Sequence, residues 1–233
     1  MINNCLTLII FVIVTTSTAY GSSIEEQYYL KRTGSKLIHF DWRLERGKDL
    51  KLVTILGEER DTTRMKNDFS TQSWSVEDPS VGTVIDVIRR DDTIIFDGMF
   101  KGKEFNRTIT IDSSPWYQAL SFSLRQFTNQ SYKHIEFWSI RPDTLEVHRL
   151  QVVRETDELL NINGVSSEVI KLKIQLTGLK SVFWSCYYWL RKTDGLFVRY
   201  EGPSGPPGWP LTTVDLIDTP TQAKLGGDSR QTQ

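Results

Sequence analysis

The chain has 233 residues, of which 28 are Lys or Arg and 29 are Asp or Glu, giving a net charge of −1. A nucleic-acid-binding protein normally carries a basic stripe or a high isoelectric point, so this balance indicates no nucleic-acid partner. Hydrophobic residues make up 39% of the chain, a share typical of a globular protein rather than of a disordered chain.

The N-terminal segment differs in composition from the rest of the chain. Residues 6–14 are almost all apolar, and small residues follow as far as Ala19. Ser17 and Ala19 match the small residues that precede a signal-peptidase cleavage site, and the apolar run is shorter than the ~20 residues that cross a bilayer. We therefore predict a signal peptide over residues 1–19. No Lys or Arg precedes the apolar run, so an uncleaved anchor is the alternative.

The cysteines predict the compartment. Cys5 lies inside the predicted signal peptide, which leaves Cys186 as the single cysteine of the mature chain and allows no internal disulfide. Small secreted eukaryotic domains usually depend on disulfides, whereas a domain of this length can bury enough apolar surface without them. This pattern fits an exported bacterial protein, and we predict a periplasmic location.

After a polar lead-in over residues 20–27, the sequence alternates with a period of two. In the segment 36–46, one face holds apolar side chains and the other holds polar ones, as expected for a half-buried strand. Residues 50–56 form its predicted hairpin partner across Gly47, and Asn163-Gly164 and Asp194-Gly195 are further hairpin turn signals. Other strands are predicted over residues 62–66, 71–76, 81–89, 93–100, 105–111, 132–140, 145–153, 168–176, 182–191 and 196–201.

One helix interrupts this pattern. Ser114 is a suitable N-cap, Pro115 suits the first helical position, and an apolar stripe follows at helical spacing as far as Phe127. The predicted fold is mainly β: a curved antiparallel sheet, or half-barrel, that wraps this one α-helix. It forms a single domain over residues 28–217, followed by a polar and disordered tail over residues 218–233.

The sequence contains no recognisable catalytic motif. The Gly-x-Ser-x-Gly elbow is absent, and Cys186 lies between aromatic residues, as a buried structural thiol would. His39, His134 and His148 are scattered, although the last two lie on adjacent predicted strands and could pair across a hairpin. We therefore predict no catalytic residues, no metal site and no cofactor.

Two further segments have alternative interpretations. The segment 202–210 is rich in both Gly and Pro, and Pro has no N–H to offer a phosphate, so it predicts a rigid surface loop. Trp209 either pins this loop or covers a pocket. His39, Asp41 and Arg43 share one face of one strand, which is a solvated face or, in an enzyme, a polar cluster in a cleft.

Aromatic residues give the most suggestive signal of a ligand site. If the sheet curls around the helix, several of them converge on one interior and could line an apolar pocket. A solid, well-packed core is the alternative. The candidate ligand-binding residues are Trp42, Trp116, Trp138, Trp184, Tyr188 and Trp209.

The layout resembles a known family. A signal peptide, a long antiparallel meander, a central helix, the Trp- and Tyr-rich strand 184–190 and the hairpin Lys192-Thr193-Asp194-Gly195-Leu196 are similar to bacterial envelope proteins of the DUF3108 type. That resemblance implies a periplasmic β half-barrel, similar in outline to LolA-type lipoprotein carriers. It implies no established activity and no catalytic residues.

These observations support three hypotheses. The first is a non-enzymatic periplasmic binding or carrier protein for an apolar, lipid-like ligand, with a lipid or a lipoprotein as its partner. The second is a structural or interaction protein of the envelope, with a solid core and a protein partner bound through the loop 202–209. The third and least favoured is an enzyme.

Overall fold

The computed structural model describes residues 23–178, 184–203 and 210–218. The predicted signal peptide, the Trp209 side chain and residues 219–233 of the predicted tail lie outside the described residues. Within them the chain forms fifteen strands: β1 (Ser23–Thr33), β2 (Lys36–Arg46), β3 (Leu50–Leu56), β4 (Glu59–Met65), β5 (Thr71–Asp78), β6 (Thr83–Arg90), β7 (Thr93–Phe100), β8 (Lys103–Glu104), β9 (Arg107–Thr110), β10 (His134–Ile140), β11 (Val147–Ile162), β12 (Val165–Leu176), β13 (Ser185–Arg191), β14 (Phe197–Pro203) and β15 (Leu211–Ile217). One α-helix, α1 (Leu120–Ser123), and two 3₁₀ turns, Pro79–Val81 and Leu124–Thr128, complete the described elements.

The strands form one antiparallel sheet in the order β10-β11-β12-β13-β14-β15-β1-β2-β3-β4-β5-β6-β7-β8, with β9 also pairing with β7. Two consecutive meanders, β1 to β9 and β10 to β15, are therefore joined where β1 pairs with β15. The sheet does not close on itself by strand pairing, and it curves into a half-barrel. The predicted fold class is confirmed.

Strand β1 was not predicted from the sequence, in which the first expected strand was residues 36–46. Residues 23–27 were expected to belong to a lead-in, but they pair with β2 from Ser23 onwards. Their side chains are mostly polar, so the hydrophobic pattern did not reveal them. Strand pairing satisfies backbone groups whatever the side chains are, and from Tyr28 onwards β1 also pairs with β15 on its other side.

Hairpin turns place the chain reversals at two rims. We call the end with the turns at residues 34–35, 57–58, 79–82 and 101–102 the upper rim, and the end with the turns at residues 47–49, 66–70, 91–92 and 192–196 the lower rim. Two predicted turns are confirmed. Asn163 and Gly164 have positive φ angles of 51° and 84°, and Gly195 has a φ of 71°, as tight hairpins require.

The alternation along β2 separates the two faces of the sheet as predicted. Trp42 and Leu44 are buried on the concave face, while Asp41 and Arg43 are exposed on the convex face with His39. Arg43 forms ion pairs with the neighbouring carboxylates of Glu26 and Glu45 on that outer surface. The His39, Asp41 and Arg43 cluster therefore lies on a solvated face rather than in a cleft.

The predicted helix over residues 115–127 is wrong at its start. The structure places an extended segment there: Trp138 N donates to Pro115 O at 2.8 Å, Tyr117 N donates to Trp138 O at 2.9 Å, and Thr71 N donates to Trp116 O at 2.7 Å. The edge of β10 and the start of β5 thus use the backbone groups that a first helical turn would have needed. Only α1 and the 3₁₀ turn after it are helical.

Residues 115–128, which we call the plug, cross the interior of the half-barrel and join its two apolar clusters. Trp116 packs in the cluster formed with β5 to β7, whereas Phe122, Leu124 and Phe127 pack in the larger cluster formed with β1 to β3 and β10 to β15. All four side chains are fully buried. The stripe that predicted a helix therefore does identify buried residues, although they serve two clusters.

A partly buried ion pair fixes the plug to the first strand. Arg125 is only 9% exposed, and its guanidinium donates to both carboxylate oxygens of Glu25 on β1, at 2.5 and 3.0 Å. Arg46 on β2 donates to the same carboxylate at 3.1 Å. Desolvation raises the pKa of Glu25, but these two cations outweigh it and hold that pKa below its usual value.

We expect Arg125→Met to lower the free energy of unfolding by about 2 kcal/mol, because it removes the main partner of a half-buried carboxylate, which then keeps only Arg46. Arg43→Met is the matched control: its pair with Glu26 is about half exposed, with 46% and 52% of the side chains accessible. That change should cost less than about 1 kcal/mol. Urea unfolding followed by tryptophan fluorescence measures both, and equal losses in the two variants would contradict this account.

Candidate ligand-binding cavity

A cavity of about 910 Å³ lies between the concave face of the sheet and the plug. Residues 118–121 of the plug form its floor, and the upper rim surrounds its mouth. Trp42 is tied to that floor, since its indole N–H donates to Ser121 Oγ at 3.0 Å. The cavity is therefore a recess that opens at one end of the half-barrel.

Aromatic side chains from β2, β13 and β14 form one wall of this cavity. Phe40 and Trp42 lie on β2, Tyr188 on β13, and Phe197 and Tyr200 on β14. The Tyr188 ring packs against Phe197 and Tyr200 at centroid distances of 5.5 and 5.1 Å. Such contacts hold the rings in fixed positions, so this wall is a preformed apolar surface.

The opposite wall is polar and comes mainly from β4 and β5. Glu59, Asp61 and Thr63 alternate along β4 and face the cavity, and Asp78 of β5 lies beside them. Asp61 is opposite Thr54 in the strand register and accepts a hydrogen bond from the Trp74 indole N–H at 2.7 Å. The cavity therefore has two chemically different sides.

Burial changes the acidity of this polar wall. Desolvation raises the pKa of Asp61 to about 7, and the nearby Glu59 carboxylate adds to the rise, while hydrogen bonds from Trp74 and Thr63 oppose it. The pKa of Glu59 is also raised, first by burial and then by Asp78, with Lys31 acting in the opposite direction. Among the described residues, neither carboxylate forms an ion pair within 4.0 Å.

The predicted ligand-binding residues do not converge on one place. Trp42 and Tyr188 line the cavity. Trp116 and Trp138 lie at the second apolar cluster, and Trp184 packs against the first cluster away from the cavity lining. Trp209 lies outside the described residues, so its placement as a lid or a pin stays a prediction.

The sequence analysis missed the polar wall. Residues 59–65 alternate between the two faces, but the inward side chains of Glu59, Asp61 and Thr63 are polar, so the predicted strand began only at residue 62. The usable signal was the register: the turn at Gly57 and Glu58 places Glu59 opposite Leu56 and Asp61 opposite Thr54. Because Leu56 and Thr54 of β3 face inwards, this register places Glu59 and Asp61 on the inward face as well.

The residues considered for catalysis lie elsewhere. His134 pairs with Val153 and His148 with Ser139, so the two histidines are at opposite ends of the β10–β11 hairpin. Cys186 is buried, and desolvation raises the pKa of its thiol far above the usual value. Within the described ranges, no three His, Cys, Asp or Glu side chains gather as a metal site.

A larger polar recess of about 1410 Å³ opens at the lower rim, on the other side of the plug. Arg125 binds Glu25, and Arg89 donates to the backbone oxygens of Asp91, Asp112 and Ser114 at 2.7 to 3.1 Å. Lys66 and Arg90 also line this recess, and its surface is more polar than that of the upper cavity.

Comparison with known structures identifies the class of fold. A β-barrel-like protein of the domain of unknown function DUF1849 from Brucella abortus aligns over 83% of this chain and 98% of its own, with a TM-score of 0.54 and 11% identity. The chain therefore has a β-barrel-like fold of this kind. The part of the chain that the structure describes contains no helix with the length and apolarity to span a membrane.

Two other structures align less well. A hypothetical lipoprotein from Escherichia coli covers 83% of this chain and 86% of its own at 9% identity, with a TM-score of 0.39. A domain provisionally assigned to outer-membrane lipoprotein sorting, from Vibrio parahaemolyticus, covers 90% and 88% at 13% identity, with a TM-score of 0.31. At these TM-scores the likeness carries no functional argument.

No family model matches the chain. No curated protein matches it either. Membership of the DUF3108 type therefore stays a prediction, and the half-barrel that this resemblance implied is the part that the structure supports.

The raised pKa of Asp61 makes folding depend on pH. The native state holds a proton on Asp61 at pH values where the unfolded chain, with a usual pKa near 3.8, has lost it. This contribution to stability is complete below that pH and is lost as the pH rises towards about 7. Asp61→Asn should remove the dependence and exceed the wild type in stability above neutral pH by about 1 to 3 kcal/mol.

Urea unfolding at a series of pH values measures this difference between the wild type and the variant. Asp41→Asn, on the exposed face of β2, is the matched control and should follow the wild-type pH profile. Parallel profiles for the wild type and Asp61→Asn would show that Asp61 titrates normally.

Proposed function

We propose that this protein is a non-enzymatic periplasmic binding or carrier protein for a lipid-like ligand, and that the upper cavity holds the ligand. The observation that carries this proposal is the cavity itself, about 910 Å³ in volume with a preformed aromatic wall. Small-molecule sites usually occupy ~300 to 1,000 Å³ and are lined by apolar side chains with a few polar groups.

The cavity lies beside the packed interior. Two clusters of buried apolar side chains form the core, and the recess at the upper rim is the part of the concave face that side chains do not fill. The alternative hypothesis of an interaction protein depends on the loop 202–209, of which residues 204–209 lie outside the described residues, and it stays a prediction.

The mouth of the cavity suits an apolar ligand that enters from another apolar surface. Val81 at the upper rim lines the cavity and is 49% exposed. Exposed apolar side chains at a mouth shorten the path that an acyl chain must take through water.

Native mass spectrometry of the mature protein purified from a bacterial periplasm tests this function. We expect extra mass that denaturation releases as lipid, and uptake of a fluorescent fatty acid by the delipidated protein. A clean apo mass together with no uptake would contradict the proposal.

A cavity-filling variant locates the site. Thr54 faces the cavity between Trp42 and Asp61 in the strand register. Thr54→Phe should therefore weaken fatty-acid uptake by about tenfold, equivalent to ~1.4 kcal/mol. Thr110→Phe introduces the same ring on the exposed β9 and should leave uptake unchanged. Equal uptake by both variants would exclude the upper cavity as the site.

A further inference from the structure

Asp61 and Glu59 line the upper cavity without an ion pair among the described residues. Asp61 is held by the Trp74 indole and the Thr63 hydroxyl, which are neutral groups. Asp61 is only partly exposed to solvent, and a partly buried carboxylate without a counter-ion lowers stability, which neutral hydrogen bonds offset only in part. A ligand with a positively charged group would supply the missing counter-ion, and this ion pair would contribute to the binding free energy.

The cations that line the cavity are placed near its mouth. Lys31 lies close enough to Glu59 to lower its pKa, and Lys36 is at the β1–β2 turn. Lys101 donates to the backbone oxygen of Asp143 at 2.7 Å, and Arg141 donates to the Asp143 carboxylate at 2.6 and 2.8 Å. These contacts leave Asp61, deeper in the cavity, without a positive partner among the described residues.

The depth of Asp61 sets the orientation of a ligand. Asp61 lies two residues further along β4 than Glu59, in a row with Thr54 and with Trp42, whose indole contacts the floor at Ser121. A polar group at Asp61 would therefore reach the floor of the cavity. The rest of the molecule would then lie along the aromatic wall and point towards the upper rim.

We propose that the ligand is an amphiphile whose polar end carries a protonated amino group, and that the Asp61 carboxylate receives this group, with Glu59 as a second acceptor nearer the mouth. This inference rests on the proposed ligand-binding function and names the chemical class of the ligand. The apolar part of the ligand packs on Phe40, Trp42 and Tyr188.

The test compares three ligands that share a twelve-carbon chain and differ in the end group: dodecylamine, dodecanol and dodecanoate. Isothermal titration calorimetry of the delipidated protein at about pH 8, below the micelle concentration of each ligand, measures their affinities; alkylamines and Asp61 are both largely charged there. We expect dodecylamine to bind at least about tenfold more tightly than dodecanol, a difference of ~1.4 kcal/mol.

Variants then assign this preference to a residue. Asp61→Asn should reduce the preference for the amine over the alcohol to less than about threefold and leave the affinity for dodecanol unchanged, because the apolar wall is intact. Glu59→Gln should have a smaller effect in the same direction. Asp41→Asn, on the convex face, is the control and should retain the wild-type preference.

The outcomes separate this inference from the proposed function. Equal binding of all three ligands, or tightest binding of dodecanoate, would overturn the amine inference and leave a lipid-binding cavity. An amine preference that survives in Asp61→Asn would overturn the role of Asp61. Binding of none of the three would overturn the proposed function together with the inference.

Discussion

The pairing of the first described strand with the last is the contact on which the rest of this structure depends. Two meanders that follow each other in the chain become one sheet only because β1 and β15 share a register from Tyr28 to Thr33. These pairings join residues that are almost two hundred positions apart, so they form against a large loss of chain entropy. Side chains on both faces of this junction must therefore contribute strongly to stability.

The same strand also positions the interior. Glu25, near the start of β1, binds Arg125 of the plug, and Tyr29 further along β1 donates its hydroxyl to the backbone oxygen of Phe197 at 2.9 Å. This ion pair fixes the position of the plug between the upper and lower rims. Residues 118–121 of the plug form the floor of the upper cavity. Two apolar side chains in place of the pair could give the protein the same free energy of unfolding. They would not fix the position of the cavity floor as a directional ion pair does.

Sequence patterns predicted the parts of the fold in which one face of a strand meets the apolar core. The bounds of β2 and β3 agree with the prediction, and the inward residues of β12, Ile170, Leu172 and Ile174, are fully buried. The patterns failed where tertiary contacts replaced local ones. Residues 115–118 had helical signals, but the free edge of β10 offered backbone partners, and Gln118 extends this contact by bonding both the N–H and the carbonyl of Ile140.

The candidate site illustrates the same limit for function. Aromatic residues drew attention to the interior, and Trp42 and Tyr188 do line the cavity, but most large aromatics serve the core. The residues that distinguish a binding cavity from a core are the polar ones on β4, and the predicted strand over residues 62–66 left out Glu59 and Asp61 because they are polar. A strand whose inward face is acidic violates the rule that local pattern and global fold agree, and such violations concentrate at functional sites.

The polar wall lowers the stability of the fold. An Asp without an ion-pair partner on the concave face of a sheet is unfavourable, and replacing it with a neutral residue would stabilise the protein by about 1 to 2 kcal/mol. Asp61 is nevertheless supported by a buried Trp74 indole and by Thr63, which fix the orientation of its carboxyl towards the cavity. A side chain that lowers stability, is held in one orientation and faces a cavity has the features of a binding site. Its acceptor is already in position before the ligand binds, so little ordering remains to be done on binding.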